Sequence, residues 1–118
     1  MLAALAESGV AADTRVIYTS DHGDNLGNRG LWGKSTMYEE SVGVPLILAG
    51  PGVPQGKAVR TPTTLVDAFP SIVEGAGLAV HPDDRDLPGS SLWSLANGIA
   101  PERAVLAEYH AEIGRAHV

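Results

Sequence analysis

Asp21 and His22 stand side by side in Ser20-Asp21-His22-Gly23-Asp24, directly after the apolar run Val16-Ile17-Tyr18. Carboxylate and imidazole are ligands for hard or borderline divalent cations when they are held rigidly and face an open position. Gly23 lets the backbone turn sharply behind the pair. Asp and Gly are also ordinary turn residues, so spacing alone leaves a metal-ligating pair and an Asx-type turn or helix cap both open. Asp24 fits a cap on the following turn, or a hydrogen bond to the pair from outside it. Lys34, one of two lysines, lies between glycines and a helix start, where its ammonium could clamp an anionic oxygen as a compact point charge. A solvated loop lysine is the plain alternative. Arg29 is a weaker case of the same kind, and Glu39 and Glu40 read as solvated or dipole-complementing helix charges. Glu108, Tyr109 and His110 form a third group, able to receive a cationic substrate group or simply exposed at a strand end. His81, in a Pro/Asp loop, reads as solvated.

These residues need strands to deliver them, because open α/β sheets bind ligands beyond the carboxyl ends of their strands. Arg15–Thr19 is rich in β-branched and aromatic residues and reads as a strand. Val44–Ala49 is continuously apolar, as expected of a strand covered on both faces, with Pro45 near its start. The long connection between them is enough for a right-handed parallel crossover. It contains a loop, Asp21–Gly33, with four glycines, and then Ser35–Glu40, a short helix with Ser35 as N-cap. Met1–Ser8 is helical with Gly9 as its terminator, and Ala11–Thr14 is a turn. Thr61–Gly77 carries Leu65, Val66, Phe69, Ile72, Val73 and Ala76 at helical spacing. Pro70 divides it into a turn and a helix that begins at Pro70 and ends at Gly75 or Gly77. Leu78–Gly89 is a polar loop, Ser90–Ala96 a short helix, and Ala104–Tyr109 a third strand. Helices alternating with strands predict an α/β fold with a mainly parallel sheet flanked by helices.

The 118 residues carry a net charge of −6 and no Lys/Arg cluster, which argues against nucleic acid or an anionic membrane as the main partner. No apolar run approaches the roughly 20 residues that span a bilayer, and the start lacks a signal-peptide layout. Nothing in the residues assigns a compartment. With no cysteine, these residues offer no disulfide, thiolate metal site or cysteine nucleophile.

Taken together, Thr19-Ser20-Asp21-His22-Gly23-Asp24, Leu26-Gly27, Gly30-Leu31-Trp32, Lys34, Tyr38-Glu39-Glu40-Ser41 and Val44-Pro45-Leu46-Ile47 resemble the sulfatase family of the alkaline phosphatase superfamily. Leu65-Val66-Asp67 to Pro70 also resembles that family's helix following the strand, while Leu87 to Leu92 and Ala107-Glu108-Tyr109-His110-Ala111 resemble its choline-sulfatase-like and phosphonate-monoester-hydrolase-like members. The resemblance implies an alkaline phosphatase-like fold, of which residues 1–111 would be the middle-to-late part of the catalytic domain. It implies Asp21 and His22 as two ligands of a divalent metal, calcium foremost, with magnesium or manganese in other branches. Lys34 would be catalytic, binding the ester oxygens and stabilising charge as the bond breaks. Glu108 would contact a quaternary ammonium group of the substrate. Arg is common where this chain has Gly43, so a local contact there is expected to differ.

The family's nucleophile is a formylglycine made from the Cys or Ser of a C-x-P-x-R or S-x-P-x-R motif, and this sequence contains neither. A further Asp ligand from the family's first strand is missing too. The expectation is therefore a piece of a metal-dependent sulfuric ester hydrolase acting on a small-molecule sulfate monoester, inactive alone, with a homo-oligomeric full-length enzyme allowed. A phosphonate or phosphate ester hydrolase of the same superfamily and a non-catalytic binding module are the alternatives. Two further expectations concern the chain itself: that it is poorly stable in isolation, and that residues 112–118 (EIGRAHV) are not native. That tail matches, residue for residue, one reading frame of a common sequencing adapter.

Overall fold

The structure is a computed structural model that describes residues 1–99 and 103–108. Its elements are helix α1 (Leu2–Glu7), strand β1 (Val16–Thr19), helix α2 (Glu39–Val42), strand β2 (Leu46–Ala49), helix α3 (Ala68–Gly75) and helix α4 (Leu92–Ala96), with short 3-10 turns between them. The chain divides into two compact units. One comprises Met1–Tyr18 with Ile47–Val105; the other comprises Thr19–Leu46 and, among the described residues, those from Leu106 to Glu108.

In the first unit β1 and β2 form a two-stranded sheet. Gly50, just past β2, packs so closely on Thr14 and Arg15, just before β1, that a Cβ there would lie 2.5 Å from the Thr14 carbonyl oxygen. Arg15 Nε donates to the Pro51 carbonyl at 3.0 Å. The end of β2 thus lies beside the start of β1, and the strands are antiparallel. This corrects the expected parallel crossover. The connection is long enough for a crossover, but its one helix, α2, is four residues and the rest is loop that doubles back on itself. A parallel sheet is not seen among the described residues, and Ala104 to Glu108 form no strand, while Tyr109 lies outside the described residues. β2 is also not covered on both faces, since its residues alternate in exposure and Ile47 is exposed.

Among the described residues, the buried apolar side chains are those of α4: Leu92, Trp93, Leu95 and Ala96. The helix packs on α3, but not through the apolar stripe that spacing predicts. Leu65, Val66, Phe69 and Ile72 are exposed, whereas Asp67 and Ser71 are wholly buried. α3 offers α4 its polar, small-residue side. Ser71 Oγ donates to the Asp67 carbonyl and accepts from the Leu92 N–H at 2.7 Å, and Trp93 Nε1 donates to the Ser71 carbonyl at 2.6 Å. The indole lies over Gly75, where a Cβ would come within 3.2 Å of it. Arg15 also stacks on the indole, 5.1 Å from the ring centre. Asp67 Oδ2 accepts from the Thr64 N–H at 2.9 Å, while Oδ1 accepts from the Ser90 N–H at 2.8 Å and from both terminal nitrogens of Arg103 at 3.0 Å.

Pro70 is the third residue of α3, not its first. It is tolerated because first-turn N–H groups have no intrahelical acceptor to lose. Gly77 (φ 69°) follows the helix end, with Leu78 N–H returning to Val73 O and Gly77 N–H to Glu74 O. Gly98 (φ 77°) closes α4 the same way.

Candidate metal and oxyanion site

The second unit carries the residues that the sequence singles out for chemistry. After β1 the chain turns at Ser20, whose hydroxyl donates to the His22 carbonyl at 2.8 Å. Asp21 Oδ1 accepts the His22 N–H at 3.0 Å. Gly23 follows because nothing larger fits: its N–H bonds Ser41 O at 2.8 Å, and a Cβ would collide with the Glu40 carbonyl. Asp24 is a turn cap, its Oδ1 accepting the Leu26 N–H at 2.8 Å. That bond supports Leu26 at φ 48°, a left-handed conformation that costs a non-glycine residue energy.

The loop then doubles back, with Gly27 N–H bonded to Leu31 O and Asn25 N–H to Gly33 O, both at 2.9 Å. Asn25 is fully buried, and its side-chain amide bonds Gly33 O, Ser41 Oγ and Thr36 Oγ1. Sequence reading passed over Asn25. Its partners lie 8 to 16 residues away, so no local period marks it.

Three expectations change here. Arg29 is not an anion clamp: its guanidinium is committed to Glu40 Oε1 and to the face of Tyr38, 4.4 Å from the ring centre. Glu40 is accordingly not a solvated helix charge, since it also accepts from Asn28 Nδ2 at 3.1 Å. The Arg29 bond comes first in holding the Glu40 carboxyl below its ordinary range. The helix begins at Glu39 with Tyr38 as N-cap, so Ser35 is not the cap. Gly43 leaves room for the Glu39 carboxylate, which a Cβ there would strike.

The loop brings Asp21, His22 and Lys34 together. Lys34 Nζ lies 2.7 Å from His22 Nε2, and His22 Nε2 lies 3.3 Å from Asp21 Oδ2. His22 Nδ1 lies 2.7 Å from Gly23 O, a bond that assigns its proton to Nδ1 and leaves the Nε2 lone pair facing the ammonium. For Asp21, desolvation pushes the carboxyl upward, but His22, the neighbouring backbone N–H groups and Lys34 outweigh it and hold the carboxyl below its usual range. Both side chains are accessible, at 81% for Asp21 and 38% for His22. Glu108 is exposed and belongs to the same compact unit, whereas Tyr109 and His110 lie outside the described residues.

This donor set fits a cation in part. An oxygen and a nitrogen converge, and the positive end of Lys34 already sits against them. Among the described residues, however, no group of three or more His, Cys, Asp or Glu side chains is arranged to hold an ion. Two ligands make half a site.

Comparison with known proteins places the loop in a family. The Sulfatase family model matches residues 1–78, which contain the whole loop. The chain belongs to the sulfatase family. It is 40% identical over 108 residues to the choline-sulfatase of Rhizobium meliloti, covering 92% of this chain and 21% of that protein. It is 36% identical over 116 residues to arylsulfatase K of Danio rerio, covering 93% and 22% respectively. Among solved structures, the phosphonate monoester hydrolase of Silicibacter pomeroyi superposes with a TM-score of 0.75 at 38% identity, over 88% of this chain and 20% of that one. The sulfatase chain thus spans about a fifth of the length of the curated relatives it matches. Its small α/β arrangement is part of an alkaline phosphatase-like fold.

Proposed function

We propose that this chain supplies the metal-ligating pair and the oxyanion clamp of a metal-dependent sulfuric ester hydrolase acting on a small-molecule sulfate monoester. The observation that carries the reading is the convergence of Asp21, His22 and Lys34 within one loop. Asp21 Oδ2 and His22 Nε2 would hold a divalent cation, calcium foremost, with magnesium or manganese as the other choices. Such an ion, when bound, supplies fixed positive charge beside an ester oxygen. Lys34 binds a non-bridging oxygen of the ester and stabilises the charge that grows as the S–O bond lengthens. The Gly23 carbonyl keeps the proton on His22 Nδ1, so the Nε2 lone pair, which meets the Lys34 ammonium here, would be open to a cation once Lys34 turns to the ester oxygen. Glu108 receives a quaternary ammonium group on the leaving alcohol, a role supported by the similarity to a choline-sulfatase.

The chain alone is inactive in this reading, because the formylglycine motif is not among its residues. Sequencing the gene on either side tests it. A C-x-P-x-R or S-x-P-x-R motif upstream in the same frame supports the reading; a complete frame without one counts against it. The likeness to a phosphonate monoester hydrolase favours one second reading, a phosphonate or phosphate ester substrate at the same site. Competition between methyl sulfate and methylphosphonate for Lys34 separates the two.

A further inference from the structure

We infer that Asn25 is the positioning residue for Lys34. Lys34 follows Gly33, whose φ of 78° puts it in a conformation with many neighbours in energy and no side chain to anchor it. Left alone, that glycine would let a long, flexible lysine sample a wide volume. Asn25 removes the freedom. Its backbone N–H and its side-chain amide both donate to the Gly33 carbonyl, one peptide unit from Lys34. The same amide reaches Ser41 Oγ at 3.0 Å and Thr36 Oγ1 at 3.3 Å, and those two hydroxyls bond each other at 2.8 Å. The Lys34 carbonyl in turn accepts the Thr36 N–H at 2.8 Å. Lys34 is therefore fastened on both sides to a knot with a wholly buried centre. His22, its partner, lies three residues before Asn25 in the same loop.

The chemistry demands an amide. Aspartate has the shape but cannot donate to Gly33 O, and leucine fills the space while leaving that carbonyl with the backbone N–H of residue 25 alone. The functional consequence of the inference rests on Lys34 being the oxyanion clamp, but the positioning itself does not, and the experiment separates them. Nitrogen-15 NMR of the full 118-residue chain reads three groups: the Lys34 ammonium, the His22 ring nitrogens and, as controls in the other unit, Lys57 and the Trp93 indole. Lys57 Nζ donates to Ala96 O at 2.9 Å and Trp93 Nε1 to Ser71 O, so both report an intact first unit.

In Asn25→Leu and Asn25→Asp the Lys34 ammonium should exchange with water at least about tenfold faster, the loss of one held hydrogen bond. The His22 Nε2 resonance should move, and Lys57 and Trp93 should not. Ser41→Ala removes one arm of the knot but not the bond to Gly33, and should leave Lys34 on His22. Wild-type Lys34 and His22 signals in Asn25→Leu, with the controls intact, would overturn the inference. Should these substitutions unfold the loop, the unaltered chain still decides: Asn25 carboxamide protons that exchange as fast as a free amide would overturn it as well. Sulfate is the functional probe, and Asn25→Leu should weaken its effect on Lys34 about tenfold. Release of Lys34 in the variant carries the inference even where sulfate moves neither chain, a result that would count against the oxyanion reading alone.

Discussion

Replacing Arg103 with methionine should destabilise the first unit by about 3 kcal/mol, the lower end of what is lost when one partner of a buried ion pair is removed. Asp67 is fully buried, and Arg103 is its only side-chain partner among the described contacts. The variant leaves the carboxylate with two backbone N–H donors, from Thr64 and Ser90. Those bonds keep the cost away from the upper end of the range. Methionine roughly preserves the packed stem, so the change reports charge and hydrogen bonding more than volume.

At about 4–8 °C per kcal/mol for a unit of this size, the midpoint should fall by about 12–24 °C. The assay is urea and thermal unfolding followed by Trp93 fluorescence in a Trp32→Phe background, because Trp32 is 78% exposed and would add an unrelated signal. Arg103→Lys keeps the charge and loses the two-pronged contact, so it should fall between the two. A loss below about 1 kcal/mol for Arg103→Met would refute the reasoning, since it would mean that Asp67 carries no uncompensated charge once the arginine is gone.

Acid should loosen the second unit through Glu40. Glu40, held low by Arg29, has a folded-state pKa beneath its ordinary 4.5. Its contribution is therefore complete above that value and lost as pH falls through the lower folded value. The Arg29 and Tyr38 resonances should hold steady from pH 8 to 5 and disperse below 4.5; a change centred above pH 5 would contradict this. Gly23→Ala should cost about 1–3 kcal/mol, because its methyl meets the Glu40 carbonyl. Loss of exchange protection at the Gly23 amide, bonded to Ser41 O, reads it.

The local signals in the sequence were reliable where glycine or β-branching set the backbone. Gly9, Gly77 and Gly98 end helices, and Val16 to Thr19 form a strand. The Asp21–His22–Lys34 grouping came from the resemblance, not from residue type, since spacing alone left a turn cap and a solvated lysine open; the structure brings the three side chains together. Strand direction was not. A long connection permits a crossover without requiring one, and only the closeness of Gly50 to Arg15 decides it. The apolar periodicity from Leu65 to Ile72 pointed at the wrong face of α3, since α4 docks on Asp67, Ser71 and Gly75. Charges mislead in the same way: Arg29 and Glu40 look solvated until the loop brings them together across 11 residues. Asn25 shows the general limit, as a polar residue's burial depends on partners that sequence distance hides.

The central claim is that Asp21, His22 and Lys34 form a cation and oxyanion site. Manganese titration of the isotope-labelled chain, followed by paramagnetic line broadening, tests it most directly. Substoichiometric Mn2+ should broaden His22 and Lys34 first, leave Trp93 sharp, and lose this selectivity in Asp21→Asn. Broadening centred on His81, Asp83 and Asp84, or none at His22 at any concentration, would contradict it.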